Sequence, residues 1–104
     1  MAISSSADTA SALWYCGPGQ VEIRREQIAP PGTDEVRVKT LYTAISRGTE
    51  SLVFAGRVPA SEFERMRAPF MAGDFLFRVK YGYASVGRVE NGVGALQGKD
   101  IFAL

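Results

Sequence analysis

Residues 34–50 read DEVRVKTLYTAISRGTE, and the interpretation of this stretch decides the fold. Val36, Val38, Thr40, Tyr42 and Ala44 alternate with Glu35, Arg37 and Lys39, the period of two that a half-buried strand imposes because successive side chains point to opposite faces. From Leu41 onward both faces carry apolar or small groups. The strand is therefore expected to end in buried backbone and to run directly into a polar turn, Ser46-Arg47-Gly48-Thr49-Glu50. A packed strand fixes the approach of such a turn, which is how a rigid scaffold presents functional groups. The same five residues also read as a plain turn, with Gly48 supplying a positive φ and Ser46, Thr49 and Glu50 capping the next element. Pattern alone leaves both readings open.

Upstream, Ala12–Cys16 and Gln20–Glu26 flank Gly17-Pro18-Gly19, which predicts a hairpin. In its second arm Val21 and Ile23 point one way while Glu22, Arg24 and Glu26 point the other, so the charged face is expected in solvent. Ala29-Pro30-Pro31-Gly32-Thr33-Asp34 breaks the pattern before the central strand. Downstream, residues 51–56 are too short to choose between a single helical turn ending at Gly56 and a short strand. Ser61 and Glu64 fit a capping box, predicting a short helix with Phe63 and Met66 on one side and Pro69 as its stop.

The longest strand signal is 75–89, FLFRVKYGYASVGRV: Phe75, Phe77, Val79, Tyr81 and Tyr83 share one face, Arg78 and Lys80 the other. After Tyr83 the phase slips, bracketed by Gly82 and Gly87, which marks a bulge, a bend or a close approach of backbone or ligand. Asn91-Gly92 turns the chain, 94–98 form a loop, and 100–104 begin another strand. Five or six strands and one short helix predict a mainly β chain, a partly closed barrel.

Composition narrows the function. A chain of 104 residues makes one domain that buries roughly 65% of its unfolded surface, here read as 12–104 behind a polar, frayed tail of 1–11. Twelve Lys and Arg against eleven Asp and Glu, a net charge of +1, leave no electrostatic footprint for nucleic acid or anionic lipid. No apolar run approaches the roughly 20 residues a bilayer requires, and the first eleven residues lack the features of a signal peptide, so cytoplasm is expected. There is no histidine, which excludes a histidine-dependent triad within this chain. The single cysteine, Cys16, sits in an apolar run and reads as a buried, inert thiol. Neither the dinucleotide-binding glycine fingerprint nor a phosphate-cradling loop is present in the sequence.

Taken in order over residues 12–104, Glu35-Val36-Arg37-Val38-Lys39, the turn at Ser46, Gly82-Tyr83-Ala84-Ser85-Val86-Gly87 and Gly98-Lys99-Asp100-Ile101 resemble the N-terminal catalytic domain of the medium-chain dehydrogenase/reductase family. That domain has a fold similar to the GroES co-chaperonin. The resemblance implies a GroES-like, partly open β-barrel with one or two short helices. It also implies NAD(P)-dependent hydride transfer to or from a carbonyl, an alcohol or an activated alkene. Where zinc-dependent members carry cysteine, histidine and glutamate, this chain has Ser46, Tyr83 and Ala84. A hydroxyl, a phenol and a methyl group cannot hold Zn²⁺, so no zinc is expected. Arg47 falls where the family places an arginine on the cofactor pyrophosphate, a task that suits a permanently charged guanidinium.

The family's proton-relaying hydroxyl falls at Gly48, which leaves Ser46, Thr49 and Tyr83 as catalytic candidates, with Gly48 and Glu50 on the substrate side. Glu50 is expected to orient Arg47, to meet a substrate hydroxyl, or to cap a helix. By the same resemblance the chain is a substrate-side domain cut before its nucleotide-binding domain, and it is inactive alone. Its partners are then a small-molecule substrate and that missing domain, and a homodimer is compatible. The alternative is a non-catalytic GroES-like β-barrel that binds or assembles with partners through an open edge.

Overall fold

Runs of β-branched and aromatic residues between glycine and proline turns give the chain its strands, and the computed structural model describes residues 9–67, 71–92 and 94–103. In order these form β1 (Thr9–Gly17), β2 (Gln20–Gln27), β3 (Arg37–Thr43), α1 (Arg47–Ala55), β4 (Ala72–Gly73), β5 (Val79–Lys80), β6 (Ser85–Asn91) and β7 (Asp100–Ala103). Single 3₁₀ turns lie at Ala60–Glu62 and Gly94–Leu96. The class is mainly β, as expected, with one α-helix. Two antiparallel sheets, ordered β2-β1-β5-β4 and β3-β6-β7, are each open at both edges. Contacts divide the chain into two compact units, one holding Ser11–Glu26 with Ile45–Tyr83, the other holding Gln27–Ala44 with the segment from Ala84 onward. Among the described residues no helix is long and apolar enough to cross a membrane.

In the three-stranded sheet, Val38 stands opposite Val89, Thr40 opposite Gly87 and Tyr42 opposite Val86. Two residues of β3 therefore match one step of β6, a bulge at Leu41 that turns Tyr42 onto the face of Lys39. This corrects the expected alternation, in which Thr40 and Tyr42 shared a face. It also corrects the buried approach to the polar turn, because Leu41, Tyr42 and Ile45 are 47%, 75% and 75% exposed. Val89 is buried, while the other face carries Tyr42, Val86 and Phe102 in one exposed row across the sheet. Beside that row, Arg88 pairs in a fork with Asp100 directly opposite it, Nε to Oδ1 at 2.8 Å and Nη2 to Oδ2 at 3.2 Å. The exposed pair contributes little to stability. Gly87 is required by close approach, since a Cβ there would meet Val38 Cγ1 and stand 2.5 Å from the Lys39 carbonyl oxygen.

In the other unit the hairpin forms as predicted, with Pro18-Gly19 as its turn and Gly19 at φ 66. Its faces are not as predicted. Val21 and Ile23 are exposed, whereas Glu22 and Glu26 are half-covered by cross-strand partners. Glu26 accepts from Trp14 Nε1 and from Lys80 Nζ, each at 2.7 Å, and these donors hold its carboxyl below the usual range, Lys80 contributing most. Arg24 and Lys80 lie 5.5 and 5.8 Å from the Trp14 ring centre, so the indole is flanked by cations. The charged face of β2 is thus drawn into a network, and the apolar residues are left outside. Cys16 is half-buried rather than buried, its thiol 3.6 Å from the Trp14 carbonyl.

The stretch 75–89 is not one strand: it bends through 75–78, pairs only at Val79–Lys80, and re-enters a sheet at Ser85. Its aromatic face nevertheless does what the alternation predicts. Tyr15, Val53, Val58, Val79 and Tyr81 form the buried cluster, with Phe75, Phe77 and Tyr83 packed against it. Phe63 and Met66 also pack there, but no α-helix begins after Ser61; the chain makes the 3₁₀ turn and one further turn, closed by Met66 N–H to the Glu62 carbonyl at 2.9 Å. Two turns of helix are marginal without packing along their whole length. The expected stop at Pro69 lies outside the described residues, as do most of the expected tail; Thr9, Ala10 and Ser11 of that tail are strand.

Candidate functional site

The capping reading of Ser46 and Glu50 holds: Ser46 is the N-cap of α1 and 47–50 are its first turn, so Gly48 is helical and not at the expected positive φ. Ser46 holds the extended N-cap conformation (φ −76, ψ 112), and the Glu50 amide donates to its carbonyl at 3.0 Å. The Ser46 hydroxyl makes no capping bond. The Glu50 carboxylate makes the reciprocal capping contact instead, reaching back so that Oε2 accepts the amide of Ser46 itself at 2.7 Å. The helix ends in a Schellman motif, with Gly56 at φ 70, its amide on the Val53 carbonyl and the Arg57 amide on the Leu52 carbonyl. Gly19 of the hairpin turn donates its amide to the Phe54 carbonyl at 2.7 Å and ties the hairpin to the helix end.

Spacing of three places Glu50 and Val53 on one face of α1, and both are buried. Val53 enters the apolar cluster, worth about 1.5–3 kcal/mol of burial. Glu50, 6% exposed, meets the hydroxyl of Tyr15, which donates to Oε1 at 3.1 Å. The Tyr15 hydroxyl is pushed up to about 12, first by burial and then by the charge of Glu50 and the hydrogen bond to it. Burial raises Tyr81 as well, with smaller contributions from Tyr83 and Glu50. Gly82 runs past the same carboxylate; a Cβ there would lie 3.8 Å from Oε1.

The structure brings Ser46 and Glu50 together. Arg47 is exposed on the first turn, and no hydrogen bond or ion pair engages its guanidinium among the described residues. Glu50 therefore caps the helix and does not orient Arg47. Gly48 is exposed with open space where a Cβ would be, and Thr49 is half-buried on the same turn. Tyr83 is half-buried, its ring edge-on to Tyr81 at 6.1 Å and packed against the core cluster. Among the described residues no three histidine, cysteine, aspartate or glutamate side chains gather where they could hold a metal ion.

Sequence reasoning missed Tyr15. It lies 35 residues from Glu50, and its place in ALWYC signals a strand facing the core without naming a polar partner. Between β1, β2 and α1 a hollow of about 290 Å³ opens onto this pair, walled by Leu13, Val21, Ile45 and Phe54. No family model, curated protein or solved structure matches the chain.

Proposed function

We propose that the chain is the substrate-side domain of a zinc-independent, NAD(P)-dependent oxidoreductase acting on a carbonyl, an alcohol or an activated alkene. The observation that carries this reading is Arg47. Its unengaged guanidinium stands at the positive end of α1, beside the open space at Gly48, and this arrangement suits a pyrophosphate. Hydride transfer is the chemistry that NAD(P) supplies when bound. The chain's own part is to hold phosphate at Arg47 and to place hydroxyl groups, those of Ser46 and Thr49 on the same turn and of Tyr83 next to Gly82 in sequence, where a substrate oxygen exchanges a proton. The test is the full reading frame that carries these 104 residues, assayed with NADH and NADPH against aldehydes, quinones and enones. Turnover that falls about tenfold or more in Arg47→Glu supports the reading; absence of turnover with every pair overturns it.

A second reading, a non-catalytic module that pairs with a second copy of itself, is favoured by the exposed row Tyr42, Val86 and Phe102. The neighbouring row runs Lys39, Arg88, Asp100, so a two-fold pairing sets Lys39 of one copy against Asp100 of the other. Light scattering that reports a monomer at all concentrations removes this reading. A dimer abolished by Phe102→Glu supports it.

A further inference from the structure

We infer that the hollow beside α1 is a binding site for a small organic ammonium ion, with the charged head on Glu50 and an apolar body against Leu13, Val21, Ile45 and Phe54. At about 290 Å³ the hollow lies near the lower end of the size range of small-molecule sites. Its chemistry is divided as such sites are, with four apolar walls, the hydroxyl-bearing Tyr15 and Ser51, and Glu50 as the one charged group in the lining.

That group is a carboxylate whose acceptor positions are only half filled. Glu50 is 6% exposed, and its two described partners, the Tyr15 hydroxyl and the Ser46 amide, are neutral donors. No lysine or arginine pairs with it among the described residues. A carboxylate offers about four acceptor positions, so each oxygen keeps one after these bonds are made. Buried charge without a counter-charge is costly, and an ammonium arriving through the hollow removes that cost while filling the remaining positions. Two rings stand beside the carboxylate, Tyr15 and Phe54, edge to face at 6.4 Å, and aromatic faces attract a cation.

The competing ligand classes fit less well. An anion meets like charge at the base. A polyhydroxylated molecule finds mostly apolar walls, since Val21, Ile45 and Phe54 are 45%, 75% and 42% exposed and only the Ser51 and Tyr15 hydroxyls join Glu50 as polar partners. A neutral alcohol satisfies one acceptor and leaves the charge uncompensated. A purely internal brace explains why Glu50 touches Ser46 and Tyr15, but it does not explain why an apolar hollow opens onto the brace. As a binding site this stands on the geometry of one compact unit; as a substrate class it rests on the oxidoreductase reading.

The experiment monitors the Ser46 and Ser51 amides of the ¹⁵N-labelled chain during titration with benzylammonium, benzyl alcohol and benzoate. Benzylammonium is expected to bind about tenfold tighter than the alcohol, the ratio that a charged rather than a neutral hydrogen bond gives, and benzoate to leave both amides unmoved. Glu50→Gln keeps the shape and an acceptor for Ser46, and it should bind the amine and the alcohol alike. Ile45→Trp, at an exposed position, should fill the hollow and weaken benzylammonium by about tenfold without changing the melting temperature, so the test survives if the glutamine variant does not fold. Equal affinities for amine and alcohol in the parent chain overturn the inference. So do an unmoved pair of amides with benzylammonium, a preference that persists in Glu50→Gln, and binding indifferent to Ile45→Trp. Amine binding without nicotinamide-dependent turnover in the full reading frame sinks the oxidoreductase reading and leaves the site; carbonyl turnover without amine binding does the reverse.

Discussion

Replacing Glu50 by alanine tests the arrangement on which the site depends. The substitution strands the Tyr15 hydroxyl, on a ring 4% exposed, and the Ser46 amide at the helix N-cap. Each orphaned buried donor costs about 1–3 kcal/mol. Against this, the chain no longer desolvates a carboxylate that lacks a cation, and water entering the hollow reaches part of the gap, so a net loss of about 2–4 kcal/mol is expected. For a chain of this size that corresponds to a melting temperature lower by about 10–25 °C. Glu50→Gln, which retains an acceptor for Ser46 and a donor for the tyrosine oxygen, should cost only about 0.5–1.5 kcal/mol. Tyr15→Phe removes one bond and should cost about 1–2 kcal/mol, with a coupling of similar size in the double mutant. Urea unfolding monitored through Trp14, the sole tryptophan, reads all of these. A Glu50→Ala variant as stable as the parent, or additive behaviour with Tyr15→Phe, would refute the reasoning.

The geometry sets three further outcomes. Because the Tyr15 hydroxyl rises from its usual 10.0 to about 12, folding favours the protonated phenol. Stability from this group is complete below pH 10 and falls as pH climbs toward 12; Tyr15→Phe should shrink that alkaline loss and leave the part due to Tyr81. Gly87→Ala forces a methyl group into Val38 and the Lys39 carbonyl, and backbone cannot swing aside, so a loss of at least about 2 kcal/mol and faster amide exchange along β3 and β6 are expected. Val53→Ala, at a side chain 1% exposed, removes two buried methyl groups and should cost about 2 kcal/mol in the same urea assay.

The sequence by itself determined what depends on a few neighbouring residues. Gly17-Pro18-Gly19 makes a hairpin because Pro18 fixes its own φ and Gly19 tolerates a positive one, whatever lies around them. The row Phe75, Phe77, Val79, Tyr81 and Tyr83 packs at the core although the strand is broken, because large apolar rings so close in sequence are driven out of water whatever the backbone between them does. Only the tertiary structure decided which groups meet across distance. The extra residue at Leu41 that turns Tyr42 outward is defined by the register against β6 and cannot be counted along β3 alone. Glu26 on the charged face of β2 is half-covered because Trp14 and Lys80 arrive beside it. Glu50 is accommodated inside because Tyr15 brings a hydroxyl to it from β1, and no local pattern at either end encodes the other.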